Sequence, residues 1–391
     1  ILDTVESQDV VTFTGSAQTG RLLKAHPRLI QESVPFTMEA DSLNASILGE
    51  DAVPGTPEFN LFIKEVRKEM TVKAGQKCTA IRRIIVPENL VSDVQAALSK
   101  RLEGTVIGDP RNKEVRMGPL ASHSQKEEVL SKIEELRKSC ELVYGGGIPS
   151  NIIGGDADKG CFVSPTLLHC SKPFENRDVH NIEAFGPVST IIPYKSTEEA
   201  IELSHLGQGS LVSSIVTNDN EFATEMVLET ASSHGRVLVL NRHCAKESTG
   251  HGSPMPQLVH GGPGRAGGGE EMGGIRGVHH YMQRTAIQGH PTTLTAITNV
   301  YQPGSEQLDP GVHPFRKYFD EVRIGDTLVT HKRTVTETDI VNFANVSWDH
   351  FYAHFDEQAA KESLFGKRVA HGYFVLAAAA GLFVDPAPKA R

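Results

Sequence analysis

Asp9-Val-Val-Thr-Phe-Thr-Gly15-Ser16-Ala-Gln-Thr-Gly20-Arg-Leu-Leu-Lys24 runs from β-branched and apolar residues through Gly-Ser into a helical stretch. This order predicts a strand, a tight turn and a helix. The backbone amides at such a helix start can hold an anion. Strand and helix patterns alternate to about residue 240, which predicts a layered α/β domain. Thr56 as N-cap, Pro57 in the first turn and Glu58 beside the dipole predict a helix from Pro57. Phe59, Phe62, Ile63, Val66 and Met70 give that helix one apolar face. It delivers the chain to a loop carrying Cys78, and a β-rich run from Thr79 to Val86 follows, stopped by Pro87. Ser124 and Glu127 form a capping-box pattern that predicts a further helix from Ser124.

A length of 391 residues leaves room for two or more domains, each with its own core. The hydrophobic content of 39% and charged content of 22% are those of an ordinary globular protein. A net charge of −9 argues against a nucleic-acid partner, which favours a basic face. The longest apolar run, Tyr373 to Val384, is too short to span a bilayer, so no membrane partner is expected. The five cysteines have no CxxC pairs or metal-ligand spacing. Free thiols, no metal and a reducing, cytoplasmic location are therefore expected. From Gly250 to Gly277 the composition turns to Gly, Pro and His and predicts an irregular segment. Its Gly261–Gly269 run lacks the Lys-Ser or Lys-Thr of a phosphate loop. Residues 290–313, polar and containing Pro291, Pro303, Gly304, Pro310 and Gly311, read as a linker between a domain over 1–289 and another over 314–391. Ile1 in place of Met, and an end soon after the last motif, read as a segment of a longer protein with both domains cut short.

A free cysteine is more often a small buried apolar residue than a nucleophile, and Cys140, Cys161, Cys170 and Cys244 are read that way. Cys78 follows a glycine-containing loop and has Lys73 and Lys77 close in sequence; positive charge favours the thiolate. Around it, Phe13-Thr-Gly15-Ser16-(x)3-Gly20, Glu39, Gly75-Gln-Lys-Cys78, Gly108-Asp-Pro110, Met117-Gly-Pro-Leu120, Phe162-Val-Ser-Pro-Thr166 and Glu183-Ala-Phe185-Gly-Pro-Val188 follow in one order. In these motifs residues 1–289 resemble the aldehyde dehydrogenase superfamily. The resemblance implies an α/β fold with part of a Rossmann-type cofactor domain and an α/β catalytic domain, and copies associating through this domain. It implies Cys78 as the nucleophile that forms a thioester, with its own N–H at the oxyanion, and Glu39 as the base that activates water. Gly15 and Ser16 are implied near the cofactor pyrophosphate, Glu183 on the nicotinamide ribose and Phe185 beside it. The implied cofactor is NADP, with NAD as the alternative. Two departures mark a divergent branch. Glu39 is followed by Ala-Asp-Ser-Leu-Asn where the family has Leu-Gly-Gly-Lys, and Lys246-Glu-Ser-Thr-Gly-His-Gly-Ser stands where it has Ser-Gly-x-Gly. The family's upstream nucleotide-binding strands, which choose NAD or NADP, are not in this sequence.

Near the other end lie Asp349-His-Phe-Tyr-Ala-His354, Asp356 and Phe365-Gly-Lys-Arg-Val-Ala-His371-Gly372, followed by an Ala-rich apolar helix. In this order residues 314–391 resemble the MaoC-like (R)-specific enoyl-CoA hydratases, whose hot-dog fold would make this a partial α+β domain. The resemblance implies that Asp349 and His354 activate one water and that the N–H of Gly372 accepts charge from a thioester carbonyl, with a CoA thioester as substrate. His371 is read as structural, and Arg316, Lys317, Lys367 and Arg368 as candidates for the CoA phosphates. Trp348 departs from the small Gly usual before the Asp. From the residues, other readings stay open: a dehydrogenase beside a silent hydratase remnant, a thiol hydrolase or acyltransferase at Cys78, and an inactive assembly segment.

Overall fold

A computed structural model describes residues 1–308 and 311–384, with the Met272 side chain left aside. Residues 309–310 of the expected linker and 385–391 of the expected hot-dog domain lie outside the described residues. The chain forms two compact units, one over Ile1–Gln283 and one beginning at Arg284.

The first unit is built on a seven-stranded sheet. Its strands are β3 (Ala45–Leu48), β4 (Arg83–Pro87), β5 (Glu141–Tyr144), β6 (Thr166–His169), β7 (Val188–Tyr194), β8 (Ser210–Val216) and β9 (His234–Leu240), in the order β5-β6-β7-β4-β3-β8-β9. All neighbours are parallel except β5 and β6. Successive side chains of a strand point to opposite faces, and the two cores follow that period. Ile47, Ile85, Ile192 and Ile215 face one side, where Val129, Ile133 and Leu203 cover them. Leu48, Ile84, Val86, Ile191 and Val216 face the other, under Phe62, Val66, Met70, Val94 and Leu98. Burial on both faces explains why these strands read as continuous apolar runs. Two further strands, β1 (Val11–Thr14) and β2 (Phe36–Glu39), pair in parallel, and β10 (Val259–Gly261) pairs antiparallel with β11 (Glu270–Met272).

The opening strand–turn–helix forms as β1 and the helix Ala17–Lys24, capped by Ser16. The helix Pro57–Thr71 is capped by Thr56, as expected. Three local expectations shift. β4 starts at Arg83 and not at Thr79, because the amides of Arg82 and Arg83 both turn to the Asn44 carbonyl. The helix expected from Ser124 runs from His123 to Leu136, with Ser122 accepting from the Gln125 amide. The segment expected to be irregular around Gly261 holds β10 and β11.

The second unit is helical among the described residues. It holds the helices Pro291–Thr298, Glu337–Ser347, Tyr352–Phe355, Glu357–Glu362 and Gly372–Phe383. Residues 290–313, expected as a linker, therefore contain two turns of helix. The Glu306 amide bonds back to the Thr292 hydroxyl at 2.9 Å. Of the sheet in an α+β layer, the described residues of this unit show only the bridge Leu308↔Asp326. A strand needs a neighbour for its N–H and C=O groups, and the apolar helix Gly372–Phe383 has no buried residue.

Ile85 lies at the centre of β4 with no exposed surface. Ile85→Ala should lower the unfolding free energy by about 2–5 kcal/mol, read from the denaturant midpoint.

Candidate active sites

β7, β4 and β3 are adjacent and parallel, so the segments entering them lie side by side. Those segments carry Glu183–Phe185, Cys78 and Asn44. Before Cys78 the backbone passes through three left-handed residues, Lys73, Ala74 and Gly75, with φ of 54°, 51° and 68°. Such backbone is costly and collects at functional sites. Gly75 is required for space as well: a Cβ there would meet the Gly186 carbonyl oxygen at 2.2 Å. Arg82 holds the two loops together. It donates to the Gly75 carbonyl at 2.8 Å and the Gly186 carbonyl at 2.6 Å, and its guanidinium lies 5.6 Å from the centre of the Phe185 ring. Asn44 fixes the nucleophile loop, its Nδ2 donating to the carbonyls of Cys78 at 2.7 Å and Ala80 at 3.0 Å.

A cavity of about 560 Å³ is lined by Gly15, Ser16, Glu39, Cys78, Glu183 and Phe185, together with Asp41 and Arg265. All six dehydrogenase-site residues singled out in the sequence thus face one space. The amide of Ala17, at the helix start expected to hold an anion, already donates to Asp41 at 2.9 Å. Asp41 also lies 3.8 Å from Arg265. The next departure residue, Ser42, donates to Asn44 at 2.6 Å and accepts from the Leu211 amide, so the divergent sequence after Glu39 braces the site. His251, in the other divergent segment, is wholly buried against the Ser214 hydroxyl at 2.9 Å.

Glu39 ends β2 and is buried. His260 Nε2 lies 3.4 Å from its Oε2, and the ligand atoms of Glu39, Cys78 and His260 are all within 4.8 Å of one another. Burial works to raise the Glu39 carboxyl, but His260 and Cys78 outweigh it and hold the group below the ordinary carboxylate range. The Cys78 thiol is pushed up to about 12, by burial first and then by the Glu39 carboxylate. This corrects the expectation that Lys73 and Lys77 favour the thiolate: Lys77 turns to the buried Glu69 at 2.6 Å. Glu183 is pushed up to about 7 by burial, against the nearby Arg82. Its Oε2 accepts from the Ser42 amide, while its buried Oε1, 3.6 Å from Arg82, has no hydrogen-bond partner. That oxygen is free to accept from a ligand hydroxyl.

In the second unit Asp349 Oδ2 and His354 Nε2 are 3.9 Å apart, too far for a direct hydrogen bond and close enough to share one water. His354 Nδ1 lies 2.7 Å from the Val369 carbonyl, an acceptor only, so Nδ1 carries the hydrogen and Nε2 faces Asp349. His371 Nε2 donates to the Asp349 carbonyl at 2.9 Å, and its ring stacks on His354 at 3.7 Å. Gly372 opens the helix Gly372–Phe383 with free space around its Cα. The ligand atoms of Asp349, His354 and His371 also fall within 4.8 Å of one another. This cluster and the Glu39 cluster have metal-compatible proximity that the sequence spacing did not suggest. Of the cations considered for CoA, Lys317 pairs with Asp326 at 2.7 Å and Arg368 pairs with Glu337.

Residues 3–287 match the profile of the aldehyde dehydrogenase family. The chain belongs to the aldehyde dehydrogenase family. Residues 320–390 match the MaoC like domain. Over 273 residues the chain is 53% identical to Protein MaoC of Klebsiella aerogenes, covering 69% of this chain and 79% of that protein. Over 263 residues it is 46% identical to the 3,4-dehydroadipyl-CoA semialdehyde dehydrogenase of Aromatoleum evansii, covering 67% of this chain and 51% of that one. Betaine aldehyde dehydrogenase from Staphylococcus aureus, solved with NAD+, shares its fold with a TM-score of 0.60 and 23% identity, over 70% of this chain and 50% of that chain. The chain thus spans about half the length of the second relative and of the solved family member.

Arg82, Asn44 and His260 carry no motif signal, because their partners come from other strands. Trp348 is at a helix C-terminus in the left-handed region, φ 65°, which accounts for the small Gly usual there. Its ring is 85% exposed and turned to solvent. Trp348→Gly should relieve the backbone and raise stability by up to about 1 kcal/mol after the entropy of Gly is counted, seen as a higher thermal midpoint. At the cysteine, Glu39→Gln removes the charge that raises the thiol. Alkylation of Cys78 by iodoacetamide at pH 8, read on its peptide by mass spectrometry, should then be about 3- to 10-fold faster than in the wild type, whose rate climbs as pH rises toward 12.

Proposed function

We propose that this protein carries two consecutive steps of aerobic phenylacetate breakdown. The MaoC-like domain opens the seven-membered ring of oxepin-CoA with water and yields a semialdehyde. The dehydrogenase domain oxidises it to 3-oxo-5,6-dehydrosuberyl-CoA. The observation that carries this reading is the presence, on one chain, of the Cys78–Glu39 cavity and the Asp349–His354 pair. The name of the Aromatoleum relative, a CoA-linked semialdehyde dehydrogenase, supports the substrate class.

At rest Cys78 is a thiol, so its attack on the aldehyde carbon is coupled to proton loss toward Glu39, the charged carboxylate beside it. The C–H bond then breaks with its electron pair leaving as hydride, and Cys78 holds a thioester. A nicotinamide cofactor, when bound, supplies the hydride acceptor. The unpaired Glu183 Oε1 suits a ribose hydroxyl, and Gly15, Ser16 and Phe185, which line the same cavity, are proposed to hold the pyrophosphate and to flank the ring. Glu39 releases the Cys78 proton to solvent and then takes a proton from water, which hydrolyses the thioester. NADP is the cofactor proposed, and comparing NADP with NAD in the same assay decides between them. In the second domain Asp349 and His354 Nε2 orient one water for the ring carbon, and the Gly372 N–H accepts charge from the CoA thioester carbonyl. Fusion keeps the reactive aldehyde near its second site at a high effective concentration. Copies are proposed to associate through the dehydrogenase domain, in the cytoplasm.

Cys78→Ala in the intact protein should reduce aldehyde-dependent NADP reduction on the order of 10³-fold or more and spare ring opening, and His354→Ala should do the reverse. Both half-reactions are followed separately by absorbance and by mass spectrometry of the CoA products. Loss of both steps in either folded variant would defeat the two-site reading.

A further inference from the structure

We infer that His260 is a positioning residue for Glu39: its imidazole holds the carboxylate in place to take a proton from the hydrolytic water. The inference rests on the dehydrogenase reading of Cys78 and Glu39. His260 belongs to none of the sequence motifs. It stands in β10 opposite Glu271 of β11, and the glycine turn beyond it is laid on the strand that ends in Glu39. A Cβ on Gly267 would lie 2.3 Å from the Met38 carbonyl oxygen, the Gly269 amide donates to that same oxygen at 3.0 Å, and the Ala40 amide donates to the Ala266 carbonyl. Three backbone contacts on the residues either side of Glu39 therefore fix where β10 lies. They bring His260 Nε2 to 3.4 Å from Glu39 Oε2, with the Cys78 sulfur in the same cluster. The His260 side chain keeps 17% of its surface exposed, which gives a proton a way out, while Glu39 keeps 7%.

The titratable groups facing His260 are Glu39 from β2, Cys78 from the nucleophile loop and Glu271 from β11. Glu271 is raised by burial and by the Glu39 charge, and lowered by His260. Glu39 is held in its charged form against the cost of burial, with His260 first among the groups that do so, and the charged carboxylate is the form that takes a proton from water. In the step assigned to the pair, an O–H bond of water breaks as the water oxygen bonds to the thioester carbon. The proton passes to Glu39, which His260 holds in place. The C–S bond then breaks with its electron pair on Cys78 sulfur, and the proton on Glu39 returns to that sulfur. One water is consumed, and a carboxylic acid and a thiol are left.

The test uses the intact protein with His260→Gln, which keeps a polar group near Glu39 and removes the imidazole. Single-turnover reduction of the nicotinamide reads thioester formation, rapid-quench mass spectrometry reads the acyl group on Cys78, and steady-state turnover reads its hydrolysis. We expect first-turnover reduction within about threefold of wild type, acyl-Cys78 accumulating, kcat about 10–100-fold lower, and the acid limb of the kcat–pH profile moved to higher pH, because Glu39 loses the partner that lowers it. Glu39→Gln/His260→Gln should be no slower than Glu39→Gln alone, since the two act as one unit. Turnover within twofold of wild type with an unchanged pH profile overturns the pairing, and so does a folded variant that loses first-turnover reduction. A wild-type protein that reduces no nicotinamide overturns the dehydrogenase reading and this inference with it.

Discussion

Arg82 is the group on which the dehydrogenase site depends. Its guanidinium is buried where two loops meet, one entering β4 and the other entering β7, and it binds a carbonyl of each. Burial lowers the Arg82 pKa, and burial raises that of Glu183 beside it. Both shifts oppose the charged forms, so desolvation outweighs the attraction across 3.6 Å. The pair is therefore better understood as fixing a geometry than as a source of stability. Removing the cation would leave Glu183 buried without its countercharge and would break the side-chain link between the carbonyls of Gly75 and Gly186, and the loop before Cys78 already carries three left-handed residues.

Two groups in contact, Glu39 and Cys78, are driven apart in proton affinity. The carboxyl sits below its ordinary range and the thiol far above its own. A thiol kept protonated is slow to oxidise or alkylate, because the thiolate is the reactive form. In the proposed reaction the same carboxylate that keeps the thiol protonated is the acceptor that relieves it when an aldehyde arrives. Reactivity is thereby tied to the presence of a substrate, and the cost is that the site needs a base with somewhere to send its proton.

The sequence carried the parts whose signal is local. Thr56 could be identified as a cap, and Gly15, Ser16, Cys78 and Glu183 as members of short motifs, because each signal lies within a few residues. Arg82, Asn44 and His260 had no such signal. Their partners are reached through sheet order, which places β7, β4 and β3 side by side and lays the Gly267 turn on β2. Lys77 shows the opposite error. Its nearness to Cys78 in sequence suggested a charge effect, but the side chain is committed to Glu69 in the preceding helix. The start of β4 was misplaced for a related reason: the Asn44 carbonyl, far away in sequence, takes the amides that would have extended the strand.

The second unit separates motif from fold. Its Asp349–His354 geometry forms within a short stretch of chain, without any sheet among the described residues. Asp349 bonds the Phe351 amide in an Asx turn, His354 anchors on the Val369 carbonyl, and His371 anchors on the carbonyl of Asp349 itself. Each imidazole gives an N–H to a main-chain oxygen, which fixes its ring plane, and the two rings then stack. Because these restraints all fall within residues 349–371, the pair comes together without the sheet that the resemblance implied. Trp348 follows the same logic: the left-handed turn that ends one helix aims Asp349 at His354, and the turn's backbone, more than the indole on it, is what the site uses.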